Sequence, residues 1–367
     1  MLELRSVGKR VGEETHLADI SLRLEPGSLN VLLGPTLSGK TSLMRLMAGL
    51  DKPTSGTVHM DGKDVTGVPV RKRDVAMVYQ QFINYPALSV FENIASPLRI
   101  AGKPKAEIRA TVERVAALLK LTPYLDRQPL QLSGGQQQRT ALARALAKNA
   151  RLVLLDEPLA NLDYKLREEL RAELPKIFAE SGAIFVYATA EPEEALLLGG
   201  HTATMKEGRV TQFGPTVDVY RRPNTLDTAR TLSDPPLNYA WVRKSGRRLL
   251  PELADARQPD FDEIPLPEHY AGLGDGRYAL AIRPHHLRLH REGPNDVELT
   301  GSVVSTEITG SETFLHVDLI DRWIILAPGI HDLEPKAMVS VYFSRQEIML
   351  FGDDLKAADA APLFEGA

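Results

Sequence analysis

The chain has 367 residues, 44 Lys plus Arg against 48 Asp plus Glu, a net charge of −4 and no cysteine. At roughly 150 residues per domain that length favours two domains. The missing cysteines exclude disulfides, thiolate zinc sites and cysteine nucleophiles, and the charge balance lacks the basic excess of a nucleic-acid binder.

The N-terminus has no apolar core for a signal peptide, and no apolar run approaches the ~18 residues that span a bilayer. The expectation is a soluble, cytoplasmic chain. Residues 29–33 read as a buried strand, followed by a Gly-rich turn and a helical pattern over 41–48. Residues 74–79 form a second short strand. Residues 107–121 show an amphipathic helix with Ile108, Val112, Val115, Leu118 and Leu119 on one face. A helix over 141–148 leads into a strand at 152–155. A helix over 168–179 tolerates Pro175 and precedes a strand at 183–187. This alternation predicts a parallel sheet covered by helices.

The character changes after about Pro223. Residues 233–268 are rich in Pro and charge and read as a connector around a strand-like 239–242. Short runs rich in Thr, Val and Ile follow at 278–282, 297–308, 313–320, 323–326 and 338–343, separated by Gly, Pro and Asp. They predict a small barrel or sandwich. The Ala-rich tail, 357–367, is expected to fray.

Residues 34–41, Gly34, Pro35, Thr36, Leu37, Ser38, Gly39, Lys40 and Thr41, fit the phosphate-loop pattern between a strand and a helix. Backbone N–H groups and the positive helix terminus suit a triphosphate. Lys40 reaches the β- and γ-phosphates, and the Thr41 hydroxyl ligates Mg²⁺. The alternative is a Gly-rich turn opening an ordinary helix. Asp156 and Glu157 end the 152–155 strand, placed to hold the Mg²⁺ water shell and to polarise an attacking water. Alone, two such carboxylates equally suit helix capping. Ser133, Gly134, Gly135 and Gln136 open the helix that runs towards Lys148. This is a second anion-binding terminus, or a plain N-cap by Ser133. One nucleotide does not need two termini from one chain, so this one is expected to cap a γ-phosphate held by another copy or partner.

The order of phosphate loop, Tyr79-Gln80, the Leu-Ser-Gly-Gly-Gln helix start, Asp156-Glu157-Pro158 and Asn161-Leu162-Asp163 resembles the ATP-binding subunits of ABC transporters. Ala281-Ile282-Arg283-Pro284 and Gly310-Ser311-Glu312-Thr313 resemble barrel segments of the carbohydrate- and polyol-importer ATPases. The resemblance covers nearly the whole chain. It implies an α/β phosphate-loop ATPase domain over 1–232 and a small all-β oligomer-binding-type barrel over 233–367. It also implies ATP and Mg²⁺ as cofactors. Gln80 would sense Mg²⁺ and the attacking water, and residues 81–88 would form the groove for a permease's coupling helix; packing of Phe82 or Tyr85 within the loop is the plainer alternative. Asn161, Leu162 and Asp163 would reach the opposite site of a dimer. The implied location is the cytoplasmic face of a bacterial inner membrane. The implied partners are permease subunits, a second ATP-binding subunit and, indirectly, a solute-binding protein, with no nucleic acid.

Three positions depart from the family pattern. Ala190 stands where the resemblance implies a switch His, and a methyl group cannot donate a hydrogen bond to a γ-phosphate; His201 lies at the start of the next strand. Val11 stands where an aromatic side chain would stack on adenine, a contact worth roughly 1–3 kcal/mol. Leu37 replaces a usual Gly, the mildest change. With Glu157 and the 133–136 helix start intact, the sequence resembles the degenerate member of the paired, non-identical ATPases of glycerol importers. The expected function is coupling ATP binding and hydrolysis to solute import. A largely non-hydrolytic nucleotide clamp or scaffold, and a regulatory subunit whose barrel docks other factors, are the alternatives.

Overall fold

Apolar side chains at alternate positions drive the first two strands into a hairpin. β1 (Leu2–Val11) and β2 (Glu14–Leu24) pair antiparallel, burying Leu2, Leu4, Leu17, Ile20, Leu22 and Leu24. The computed structural model describes residues 1–160, 162–252 and 263–358. β3 (Leu29–Leu33) is buried along most of its length and runs through the glycine loop into α1 (Lys40–Ala48). β4 (Ser55–Met60) and the two-residue β5 (Lys63–Asp64) complete an antiparallel sheet of order β2-β1-β4-β5.

β6 (Val75–Val78) precedes three helices, α2 (Val90–Ile100), α3 (Lys105–Leu118) and α4 (Gly134–Lys148). β7 (Leu152–Asp156), α5 (Tyr164–Ser181), β8 (Ile184–Thr189) and α6 (Pro192–Leu198) follow, then β9 (His201–Lys206) and β10 (Arg209–Pro215). The six-stranded sheet has the order β10-β9-β3-β8-β7-β6. Its pairings are parallel except for the edge pair β9–β10. β7 and β8 are buried at every position, as expected of central parallel strands. The C-terminal ends of β3, β6, β7 and β8 carry the phosphate loop, Gln80, Asp156-Glu157 and Ala190. Ligands of open α/β sheets bind outside such strand ends.

The chain forms two compact units, Met1–Val217 and Asp218–Ala367, divided within α7 (Thr216–Arg221). In the second unit α8 (Leu226–Thr231) buries Leu226 and Ala229 against Leu237, Ala279, Ala281 and Phe351. Residues 218–232, grouped with the first domain on sequence, thus pack with the second unit. Its strands are β11 (Asn238–Ser245), β12 (Arg248–Pro251), β13 (Ile264–Pro265), β14 (Gly276–Ile282), β15 (Asp296–Ile308), β16 (Glu312–Asp318), β17 (Arg322–Pro328), β18 (Met338–Ser344) and β19 (Met349–Phe351). They form antiparallel sheets of order β13-β12-β11-β14-β19 and β17-β16-β15-β18 around Val242, Leu280, Leu315, Trp323, Val341 and Phe343. The connector expected over 233–268 contains β11, β12 and β13, because Ala240, Val242 and Leu249 point into that core. Residues 253–262 lie outside the described part. So does most of the tail expected to fray; its first residues, Ala357 and Ala358, donate backbone hydrogen bonds to Asn224 and Leu350.

Candidate nucleotide site

Close packing of backbone dictates the phosphate loop. A Cβ at Gly34 would come within 2.4 Å of the Met205 carbonyl oxygen, and Gly39 sits at φ 103° against the His16 carbonyl. Both positions therefore need glycine. Leu37 also lies in the left-handed region, at φ 68°, with its side chain 95% exposed. This explains why glycine suits that position, which the sequence alone ranks as a mild change. Lys40 is buried and donates to the carbonyls of Gly34 (2.6 Å) and Pro35 (3.0 Å), folding the loop around its own ammonium. Burial pushes that ammonium below its ordinary value, against the pull of Glu157 and Asp156. Ser38 is buried with its hydroxyl unpartnered among the described residues.

The Thr41 hydroxyl donates to Asp156 Oδ2 at 2.8 Å, joining the start of α1 to the end of β7. Burial raises the Asp156 carboxyl; the Thr41 hydrogen bond works the other way, and Glu157 adds to the rise. Glu157 has φ 47°, turning the chain sharply out of β7 while its N–H donates to Ala188. Gln138 Nε2 anchors the far side of the turn through the Pro158 carbonyl at 2.8 Å. The freed carboxylate accepts from Gln80 Nε2 at 2.9 Å. A carboxylate and a side-chain amide thus stand side by side at the ends of β7 and β6.

Thr36, Leu37, Gly39, Lys40, Thr41, Gln80 and Glu157 line one cavity of about 700 Å³. That lies within the ~300–1,000 Å³ range typical of small-molecule sites. Glu14, Thr15, His16, Ser42, Glu207 and Gly208 complete it. These lining residues of β2 and the β9–β10 turn were missed on sequence, because only strand register brings them to the loop.

Other expected residues lie elsewhere in the single chain. Val11 is 54% exposed and Ala190 is exposed; neither lines the cavity. Ser133 N-caps α4 in a reciprocal capping box with Gln136, and Gly134 and Gly135 form its first turn. Asp163 N-caps α5, accepting from Leu166 N–H. Asn161 lies outside the described residues.

The turn holding Ala190 is braced from below. Buried Arg171 contacts Glu168, Glu191 and Glu194, and the Tyr187 hydroxyl donates to Glu194. Burial opposes the Arg171 charge but is outweighed by Glu194 and Glu168, so it is held above its usual range. The 81–88 loop has a separate anchor in buried Asn93. Its amide donates to the carbonyls of Tyr85, Leu88 and Ser89, and its oxygen accepts from Tyr85 N–H. Ile83, Tyr85 and Leu88 remain exposed on that loop.

Residues 17–160 match the model of the ABC transporter family, and residues 280–351 match that of the TOBE domain. A spermidine/putrescine import ATP-binding protein of Ruegeria pomeroyi is 38% identical over 307 residues, 83% of this chain and 81% of that protein. A trehalose/maltose import ATP-binding protein of Thermococcus litoralis is 36% identical over 338 residues, 86% of this chain and 87% of that one. A solved dimeric ATP-binding cassette, in a post-hydrolysis state with ADP and Pi, matches with TM-score 0.54 and 31% identity, covering 59% of this chain and 99% of that chain. Matches of this extent, on a loop, acidic strand end and helix start arranged as described, show that the chain belongs to the ATP-binding subunits of ABC transporters, with an ATP-hydrolysing cassette followed by a TOBE domain.

Proposed function

We propose that this chain supplies the energy for a bacterial importer, binding ATP with Mg²⁺ and docking beneath permease subunits on the cytoplasmic side. The observation that carries the reading is the convergence of Lys40, Thr41, Gln80 and Glu157 on one cavity. Gly39 and Lys40 open α1 where backbone N–H groups and the helix terminus favour phosphates. The paired oxygens of Thr41 and Asp156 suit Mg²⁺, a small hard cation that binds through one or two carboxylates plus substrate phosphates. Among the described residues no cluster of three or more His, Cys, Asp or Glu suggests a different metal. Bound there, Mg²⁺ supplies neutralisation of phosphate charge. Glu157 accepts the proton of the attacking water, and Gln80 orients that water and the carboxylate.

Two chains complete the unit. The 133–136 helix start, capped within the chain by Ser133 and Gln136, faces the γ-phosphate of an opposing chain, and Asp163 reaches towards the opposite site. The opposing chain is a second, non-identical ATPase, because this chain keeps Glu157 and the helix start but has Val11, Leu37 and Ala190. Exposed Ile83, Tyr85 and Leu88 receive the permease's coupling helix. No helix among the described residues is long and apolar enough to cross a membrane, consistent with membrane spans belonging to partners. The solute belongs to the sugar, polyol or polyamine classes; glycerol is the polyol suggested by the degenerate positions. A solute-binding protein delivers it from outside.

Ala190 favours a second reading, a nucleotide clamp that turns over little ATP. The test is ATPase activity of the purified chain and of Glu157→Gln. Turnover lost by at least ~100-fold in the variant, the scale of general-base catalysis, supports the first reading. Binding without turnover in the unmodified chain supports the clamp. Co-purification with two permeases and a distinct ATPase supports pairing, whereas recovery only as a fully active symmetric homodimer overturns it.

A further inference from the structure

We infer that a second cavity, at the end of the sheet remote from the phosphate loop, binds a small monocarboxylate with an apolar body. Val75 and Leu152 open β6 and β7 there as a register pair, whereas Gln80 and Asp156 lie at the other ends of the same strands. Leu2 and Met60 stand opposite each other across β1–β4, and Met47 comes from the last turn of α1. With Val65 these side chains make the apolar lining of a space of about 220 Å³. That is below the ~300–1,000 Å³ of drug-sized ligand sites, so the occupant is small. Two of the lining residues are methionines, whose unbranched chains adapt to an irregular guest.

The charge in the cavity is out of balance. Lys63, Lys72, Arg73 and Arg151 line it against two carboxylates, Asp61 and Asp74. Both carboxylates are engaged: Asp61 by Arg151 at 2.9 Å and the Met1 amino group at 2.7 Å, Asp74 by the Arg151 backbone N–H at 3.3 Å. Lys63 and Lys72 are exposed, and among the described residues no carboxylate pairs with either of them or with Arg73. Arg73 is half-buried. Its Nε donates to the Val68 carbonyl at 2.9 Å, its Nη1 to Met47 at the end of α1 at 2.9 Å, and its Nη2 to Val65. Three of its five N–H donors are thus used, and two remain. Burial pulls the guanidinium below its ordinary value, with no neighbouring charge offsetting it. Capping α1 explains the three bonds but not an unpaired cation beside an apolar cavity. A carboxylate pairs with that cation in the geometry guanidinium favours. An inorganic anion would leave the apolar lining empty, and a hydrocarbon would leave the charge unpaired.

Isothermal titration of the full-length chain with hexanoate tests this, with hexanol and acetate probing the tail and the charge alone. Hexanoate should bind roughly 10- to 100-fold more tightly than hexanol, the scale of a charge-assisted hydrogen bond. It should bind at least ~10-fold more tightly than acetate, which lacks four methylenes. Methyl NMR of the methionine-labelled chain should show hexanoate shifting Met47 and Met60, assigned through Met47→Leu and Met60→Leu. Arg73→Gln should abolish the preference for hexanoate over hexanol. Because that change also frees the Met47 carbonyl, Lys63→Glu combined with Lys72→Glu provides a variant altered only at exposed, unpaired side chains. The double variant should weaken hexanoate several-fold and leave hexanol and ATP binding as they were. No binding of hexanoate, or equal affinity for hexanoate and hexanol, overturns the inference. So does acetate binding as tightly as hexanoate, which would report a plain anion site, or binding that leaves Met47 and Met60 unshifted.

Discussion

Replacing Leu37 by glycine should stabilise the protein, an unusual direction for a glycine substitution. Leu37 holds φ 68°, where an L-residue suffers a clash costing roughly 1–2 kcal/mol. Its side chain is 95% exposed, so removing it forfeits almost no buried apolar area. Against the relieved strain stands the greater freedom of glycine in the unfolded chain, about 0.4–1 kcal/mol. The difference leaves a gain of about 0.5–1 kcal/mol. For a unit of this size that is roughly 1–4 °C in Tm. Calorimetric or near-ultraviolet CD melting of the nucleotide-free chain measures it. Leu37→Ala is the decisive companion, because it removes the side chain but keeps the Cβ responsible for the clash. Leu37→Gly should raise Tm while Leu37→Ala leaves it nearly unchanged. An equal rise in both would place the cost in the exposed leucine and not in the backbone. A fall in Leu37→Gly would refute the strain argument outright.

Asp156→Asn should raise the Tm of the nucleotide-free chain at neutral pH while abolishing stabilisation by ATP with Mg²⁺. Burial holds the Asp156 carboxyl above its ordinary value, so the folded chain binds more protons than the unfolded one and loses stability as pH rises through that window. The variant's advantage should accordingly shrink as pH falls towards the ordinary carboxylate range; an advantage constant with pH would contradict this origin. Ala190→His places an imidazole on an exposed turn braced by Arg171 and should raise steady-state ATP turnover several-fold in the assembled transporter, well below the ~100- to 10,000-fold contribution of a full acid–base group. Unchanged turnover, with ATP affinity retained, would show that the lost imidazole does not limit this site.

The phosphate loop, its strand and its helix were legible because their chemistry is written in contiguous residues. Gly34, Lys40 and Thr41 act through a single turn of backbone, and Asp156 follows its strand directly. Even so, Leu37 showed on sequence only as a changed residue, since a dihedral angle leaves no mark in composition. His16 and Gly208 were not legible at all. They reach the loop through the β1–β2 hairpin and the β9–β10 turn, whose register depends on distant apolar partners. The same nonlocality hid β12 and β13 and left β11 legible only as a strand-like 239–242, where alternation is short and interrupted by charge. Pro175 was tolerated within α5, as the surrounding helical pattern implied.

The placement of retained and altered residues bears on what this site can still do. Lys40, Thr41, Asp156, Gln80 and Glu157 anchor one another or the loop backbone through hydrogen bonds of 2.6–3.0 Å. Truncating Lys40, Thr41 or Asp156 leaves a buried or partly buried polar partner unsatisfied, so the fold itself resists their truncation. Val11, Leu37 and Ala190 are all exposed, where substitution takes no hydrogen bond or core contact from the fold. Apart from the backbone strain at Leu37, their effect is therefore confined to what approaches from outside. The exposed Gln80–Glu157 pair is the part of that network that folding alone does not hold, and drift in a disabled site would leave it free to decay. An intact interior beneath an altered rim instead fits a site that still performs its chemistry, with the grip on nucleotide and the trigger for hydrolysis reset at the surface.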